Sequence, residues 1–544
     1  MINSGHYFFG RKSVIDLIKR RVIDLKEGYR QNIALLGHRY LGKTAILQHF
    51  LANLDDQDVI EIYLDLEDKD FDGLFYKFVG NLLYNFSRNK HLTLHEELDL
   101  LMESTRKFLP QTIQEIKKIQ GLHARGKIME AYQSLLALPE IFTQESGKFC
   151  VILLDEFQSL ENIGGSDIFQ ELGKKIMTQR RCLYVVVSSS IVEAKKILSE
   201  KLSLLFGNFE IVDVGAFDPK TSQDFLEYHL QAIKMNPQLR NFLIDFTAGH
   251  PFYLNVITQE ILRLSSQHHQ PEVFLPLLTQ AIENLIFSRW GVLSQHFDYL
   301  MHNLCQWKTN RVISNILIAL ANGKYRLKEI LEETAGKSGS LQPKLARLIE
   351  EGMIAKNGNY YCFQDKLLRF WIKYVYERKL CAINENPLEQ KAHFRQEMKD
   401  CVQNFQTVSE KDLSTRIVDL LHCFDNEALN INGRRYKLPA FRDIAPFKLV
   451  EEKDCHFSVI RARSAQKETW FFILKKEPLQ EGEVNAFLTQ AKKLNERPVK
   501  SIIIALSDLD VNARLKALQE KFWIWNEPEL NTLLHLFDKP YIVK

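Results

Sequence analysis

No window of this 544-residue sequence approaches 18 uninterrupted apolar residues, so no segment reads as a membrane-spanning helix. Cysteine is sparse, eight residues without a Cys-x-x-Cys pair, which argues for reduced thiols in a cytosolic setting. The first residues, Met1–Val14, lack the basic-then-apolar order of a secretory signal, so the reading expects a cytoplasmic protein with no membrane partner. There is no low-complexity tract and no internal repeat. Charge of one sign is missing too: a net +3 neither demands nor excludes a polyanionic partner. No Ser-His-Asp or Cys-His arrangement can be assembled, and His268-His269 have no metal-ligand spacing to Cys or acids. What remains is ordinary for a globular protein, 45% apolar and 26% charged, at a length that calls for three or four domains.

Along the first 215 residues, apolar runs alternate with amphipathic helical patterns. The runs at 32–36, 59–66, 149–154 and 183–188 are bounded by Gly or charge, as in a parallel sheet covered on both faces. A long helical stretch, 72–143, exceeds what a crossover needs and predicts an inserted helical hairpin. From 218 to 289 the pattern is helical. Residues 311–363 then give three helices and a short hairpin turning at Asn357-Gly358-Asn359, the plan of a winged helix. Residues 364–439 read as helical, with Phe370, Trp371, Tyr374 and Tyr376 at core spacing. The tail alternates strand and helix again. The expected architecture is an α/β P-loop NTPase domain (1–215), a helical lid (216–305), a winged helix-turn-helix domain (306–366), a helical connector (367–439) and a C-terminal α/β nuclease-like domain (440–544).

The chemistry is concentrated where the first apolar run ends. Ile33–Leu36 leads into Gly37-His38-Arg39-Tyr40-Leu41-Gly42-Lys43-Thr44, and a helix follows from Ala45. This is Gly-x4-Gly-Lys-Thr in its strand–loop–helix context. The glycines let successive N–H groups converge on an anion, and the helix N-terminus adds partial positive charge. Lys43 supplies a mobile charge for the β- and γ-phosphates, and the Thr44 hydroxyl a ligand for Mg²⁺. The run 149–154 ends in Asp155-Glu156. Asp155 is expected in the magnesium shell and Glu156 as the group that orients or deprotonates the attacking water. Ser189, at the tip of the run 183–188, is a third candidate, for the γ-phosphate or the water. The expected cofactors are ATP and Mg²⁺.

Together these residues resemble the archaeal-type ATPases within the STAND and AAA+-like branch of P-loop proteins. Phe8-Phe9-Gly10-Arg11 is similar to that branch's Gly-Arg box, Leu154–Gln158 to its acidic strand end, and Gly249-His250-Pro251 to an element of its helical lid. Tyr361–Trp371 resembles the segment that ends its winged helix. The resemblance covers about residues 5–380 and implies that Arg11, His250 and Pro251 meet the nucleotide. One departure stands out: related switch ATPases place an arginine near the sensor-strand tip, where this chain has Ser188-Ser189-Ser190, and Arg180 and Arg181 lie at the strand's other end. No arginine finger can be named.

Many members of that family end in a domain related to restriction endonucleases, and the layout of 440–544 is similar. Such a nuclease needs one acid on a strand and an acid-x-Lys on the next, because two carboxylates hold the metal. With Lys475 as the lysine the acid position holds Ile473, with Lys476 it holds Leu474, and the preceding strand offers Ser458. Asp454 and Glu468 sit at strand starts. Metal-dependent cleavage is therefore not expected. The reading is an ATP-binding, slowly hydrolysing molecular switch that acts on a protein or DNA partner and can oligomerise on nucleotide binding. The alternatives are a DNA-binding or DNA-processing ATPase of defence or mobile-element biology, and a non-hydrolysing regulatory scaffold. Duplex contact would run through the helix at 339–351, with Gln342, Lys344 and Arg347.

Overall fold

The structure, a computed structural model, describes residues 8–67, 70–164, 167–202, 208–305, 310–334, 338–381, 386–447, 457–493, 498–507 and 509–543. Asp454, weighed above as a nuclease acid, lies outside the described residues. The chain divides into two compact units, Met1–Ala216 and Phe217–Lys544.

The first unit is built on strands β1 (Asn32–Leu36), β2 (Val59–Asp65), β3 (Phe149–Asp155), β4 (Cys182–Ser188) and β5 (Phe209–Asp213). Their order is β2-β3-β4-β1-β5 and every neighbouring pair is parallel. Continuous apolar runs form β1, β3 and β4 because both faces are covered. Ile33 and Leu35 pack with the helices Lys12–Lys26 and Lys43–Ala52, whereas Ala34 and Leu36 face the core shared with Phe71–Asn89 and Ile128–Ser146. The long insertion holds four helices, Phe71–Asn89, Leu98–Thr105, Pro110–Ala124 and Ile128–Ser146, and the last two pack against each other. The sequence reading found four strands here. The fifth, β5, is an edge strand with Ile211 48% exposed, so it lacks the unbroken apolar signal of the others.

The second unit opens with helices Pro219–His229, Pro237–Thr247, Pro251–His268 and Leu275–Ile282. Proline in the first turn of each fixes φ where the N–H has no intrahelical partner, and Asp218 and Asn236 cap two of them with side-chain oxygens. Strands β6 (Lys234–Met235) and β7 (Glu272–Val273) form a short parallel pair among them. Helices Asn310–Ala321, Leu327–Thr334 and Ser338–Glu350 then precede an antiparallel hairpin of β8 (Ile354–Asn357) and β9 (Tyr360–Phe363). Trp371 is fully buried and Phe370 nearly so, while Tyr374 and Tyr376 are half-buried.

One stretch differs from its expected type. Residues 427–438, read as helix, form the hairpin of β10 (Glu427–Ile431) and β11 (Arg434–Leu438). Asn432-Gly433 supplies the two-residue turn, and Leu429, Ile431, Tyr436 and Leu438 alternate onto one face. That face shares a core with Ile417 and Leu420 of the helix Leu413–Leu421 and with the tail sheet. This sheet runs β12 (Phe441–Phe447), β13 (Ser458–Ser464), β14 (Thr469–Lys475), β15 (Lys500–Ala505) and β16 (Trp523–Trp525) in that spatial order. The first two pairings are antiparallel and the last two parallel. Helices Glu481–Lys493, Val511–Gln519 and a final Glu527–Leu536 complete it.

Candidate functional site

The carboxyl ends of β1, β3 and β4 lie level, with Leu36 opposite Ser188 and Leu154 opposite Val186. The loop 37–42 leaves β1 at this edge, so the residues singled out in the first unit converge there. Gly37 is fixed by close approach: a Cβ at this position would stand 2.2 Å from the Val214 carbonyl oxygen. Gly42 caps the helix Lys43–Ala52 with φ +89°, left-handed backbone that turns the chain so the first helical N–H groups face the loop. Tyr40, also at positive φ, is exposed, as are Arg39, Thr44 and Ala45, whereas Leu41 is buried beneath the loop. Arg39 is ion-paired with Glu67 at 3.1 Å.

Lys43 is only 5% exposed, and its ammonium donates to the His38 carbonyl at 2.8 Å, inside the curve of the loop. Burial pulls its pKa down, opposed by the nearby Glu156 and Asp155 carboxylates. Burial also lowers the His38 pKa, and Lys43 adds to the effect. A phosphate chain in the loop offers Lys43 a stronger partner than a carbonyl.

The Thr44 hydroxyl donates to Asp155 Oδ2 at 2.7 Å, bridging the two motifs. Asp155 is 3% exposed; its Oδ1 accepts the Glu156 N–H at 3.1 Å, and Oδ2 accepts Tyr63 O–H at 3.3 Å. Burial raises the Asp155 carboxyl above the ordinary value, while the Thr44 hydrogen bond pulls it down. An oxygen pair of this kind, one hydroxyl and one buried carboxylate, suits a hard divalent cation such as Mg²⁺.

Glu156 adopts left-handed backbone, φ 52°, which turns its side chain across the tip of β4. Its Oε2 accepts three hydrogen bonds, from the Ser189 N–H at 3.0 Å, the Ser189 hydroxyl at 2.8 Å and Gln158 Nε2 at 2.7 Å. Ser189 thus meets Glu156 directly, and so does Gln158, a residue to which the sequence alone gives no role. Arg11 caps the helix Lys12–Lys26 at φ 59°, and its guanidinium donates to the carbonyls of Leu41 and Gly215, tying the loop to the segment after β5.

His250 and Pro251 belong to the second unit. His250 is the N-cap of Pro251–His268 and stacks on Tyr253, ring centroids 4.1 Å apart. In the same unit the segment Tyr361–Trp371 is a junction. Asp365 caps its own helix and accepts the Tyr253 hydroxyl, and Lys366 is paired with Asp245 at 2.7 Å beneath the Tyr541 ring. Arg369 donates to Asp538 and the Ala321 carbonyl. The hairpin turn is also engaged: Asn357 exchanges hydrogen bonds with the Asn430 backbone at 2.8 and 2.7 Å. Of the residues proposed for duplex contact, Gln342 is exposed while Lys344 and Arg347 are half-buried.

In the tail, Lys475 is buried and ion-paired with Glu483, whose other oxygen accepts the Gln480 N–H and so caps the helix Glu481–Lys493. Ile473 and Leu474 are core residues. No group of three or more His, Cys, Asp or Glu able to hold a metal exists among the described residues.

No protein-family model matches this chain, and no curated protein sequence does. Among solved structures, the Walker-type ATPase paby2304 of Pyrococcus abyssi is similar at 18% identity and a TM-score of 0.47, over 67% of this chain and 96% of that one. The ORC2 protein of Aeropyrum pernix, in ADPNP-ADP complexes, is 11% identical with a TM-score of 0.44, over 69% and 97%. The Thermotoga maritima RuvB Holliday junction branch migration motor is 11% identical with a TM-score of 0.36, over 67% and 96%. Likeness this distant carries no weight beside the sheet itself. The parallel five-stranded sheet with its covering helices matches a P-loop nucleoside-triphosphatase fold. No helix among the described residues is long and apolar enough to cross a membrane.

Proposed function

We propose that this chain binds Mg-ATP at the carboxyl edge of β1 and β3 and hydrolyses it slowly, as a molecular switch of the STAND/AAA+-like type. The observation that carries the reading is the Thr44–Asp155 hydrogen bond, which joins residues 111 positions apart into one oxygen-donor pair beside Lys43. Backbone N–H groups of the loop, with Lys43, hold the phosphates. Mg²⁺, when bound through Thr44 and Asp155, neutralises charge that develops on the β- and γ-phosphates. Glu156 orients the attacking water and receives its proton, and Ser189 and Gln158 fix the Glu156 rotamer. Arg11 braces the loop from behind. His250 and Pro251 remain nucleotide-sensing candidates on the resemblance alone.

The three helices and hairpin of residues 310–363 are read as a winged helix, and the tail as a nuclease-like domain without its acids. The tail reading is supported by the engagement of Lys475 with Glu483. A protein partner is favoured over duplex DNA, because Asn430 engages the hairpin turn and neither Lys344 nor Arg347 is fully exposed. Assembly on nucleotide binding belongs to the same proposal. The test is ATP binding and turnover by the full chain with and without duplex DNA, beside Lys43→Ala. Turnover raised by DNA, with a steep salt dependence, would favour the DNA-coupled alternative. Tight binding with no turnover under any condition would favour a non-hydrolysing scaffold.

A further inference from the structure

Asp155 is the one acid of the candidate site that is almost wholly buried, so the groups that orient it decide what it can hold. Two donors reach its Oδ2. One, Thr44, belongs to the loop motif; the other, Tyr63, belongs to no motif and comes from β2. Strand register explains why Tyr63 is within reach. In the parallel pairing of β2 with β3, Tyr63 lies opposite Leu153 and Asp65 opposite Asp155, so Tyr63 and Asp155 are diagonal neighbours two residues apart. Period-two alternation puts Tyr63, Leu153 and Asp155 on the same sheet face. That face is the one covered by the helix Lys43–Ala52, because Leu153 shares a core with Ile46, Leu47 and Phe50, and the Tyr63 ring packs against it. The ring is therefore anchored among apolar groups while its hydroxyl reaches the carboxylate. Asp65, which lies opposite Asp155 in the register, accepts the Glu67 N–H on its Oδ1 at 3.1 Å.

Resting on the Mg-ATP reading above, we infer that Tyr63 is a positioning residue of the metal site, holding Asp155 Oδ2 toward Thr44 so that hydroxyl and carboxylate present a preformed pair to the cation. Without Tyr63 the carboxylate keeps the Thr44 hydroxyl on Oδ2 and the Glu156 N–H on Oδ1 but loses the donor from β2, which loosens its terminal torsion, a broad one for Asp. Partners that orient a metal ligand from behind typically contribute about 10–100-fold to metal affinity. The 3.3 Å contact puts Tyr63 at the low end of that range.

The experiment measures binding rather than turnover. A fluorescent ATP analogue is titrated into the full chain in EDTA, then Mg²⁺ is added at fixed nucleotide to obtain its half-saturation. Tyr63→Phe keeps the ring and removes the hydroxyl; Tyr63→Met serves if the phenylalanine variant melts early. The expected result is a Mg²⁺ half-saturation raised about tenfold with metal-free nucleotide binding unchanged. A half-saturation equal to wild type would overturn the inference. So would an equal loss in metal-free and metal-bound affinity, since that marks a structural role. If the wild-type chain binds no nucleotide, or binds it without response to Mg²⁺, the Mg-ATP reading fails and the inference falls with it.

Discussion

Gly37→Ala isolates the geometry of the phosphate loop from its chemistry. The added methyl would stand 2.2 Å from the Val214 carbonyl oxygen, 3.1 Å from the Val214 carbonyl carbon and 3.2 Å from Val214 Cβ. Non-bonded heavy atoms rest about 3.5 Å or more apart, so backbone has to move by roughly 1 Å. That backbone is tied from both sides. The Val214 N–H donates to the Leu36 carbonyl at 2.6 Å, and Arg11 donates to the next carbonyl, Gly215. Overpacking of this kind costs about 1–3 kcal/mol. For a unit of this size each kcal/mol moves Tm by about 2–4 °C, which gives a fall of roughly 2–12 °C. Gly42→Ala is the comparison. There a Cβ meets nothing within 4 Å, and the penalty is only the left-handed φ of +89°, about 1–2 kcal/mol. Differential scanning fluorimetry with and without ATP reads both variants. Gly37→Ala melts earlier than wild type even without nucleotide and loses most of the ATP-induced rise. A Gly37→Ala protein that melts with wild type and keeps its ATP-induced rise would refute the reasoning.

Three further outcomes are expected. Ser189→Ala removes the hydroxyl bond to Glu156 but leaves the Ser189 N–H and Gln158; turnover falls about tenfold in a steady-state assay while ATP affinity holds, in keeping with a charge-assisted bond. For Asp155, burial raises the folded-state pKa above its ordinary value of 3.8, so its contribution to stability is present at low pH and lost as pH rises through the raised value. Mg²⁺ compensates the buried charge, and the Tm increment from Mg-ATP over ATP alone therefore grows across that window and is absent in Asp155→Asn. In the second unit, Asp245→Ala leaves the buried Lys366 ammonium without its carboxylate and lowers stability by about 3–5 kcal/mol in urea, whereas Asp245→Leu with Lys366→Met costs much less.

How legible this was depended on burial. The strands β1, β3 and β4 are covered on both faces, so their apolar runs stood out, and the loop after β1 named its own chemistry. β5 did not, because it is an edge strand whose apolar run is broken by Glu210 and Asp213. The β10–β11 hairpin left a signal that was there to be read: Asn432-Gly433 between Leu429-x-Ile431 and Tyr436-x-Leu438. The helical period of Leu413–Leu421 masked it by running up to its edge. Tyr63 and Gln158 were out of reach for another reason. Their roles rest on which atom a side chain meets across a strand pair or a turn, and one sequence carries no record of register. Arg11 entered only through a resemblance, and its contacts with Leu41 and Gly215 join segments about 30 and 200 residues away.

The central claim is that Lys43, Thr44, Asp155 and Glu156 form one Mg-ATP site with Glu156 as its base. The most direct test is ATP binding and steady-state hydrolysis by the full chain beside Lys43→Ala and Glu156→Gln. The account predicts that Lys43→Ala loses ATP binding, and that Glu156→Gln binds ATP as tightly as wild type while its turnover falls by about 10²–10⁴-fold. Wild-type turnover no greater than that of Glu156→Gln, or ATP binding that survives Lys43→Ala undiminished, would contradict it.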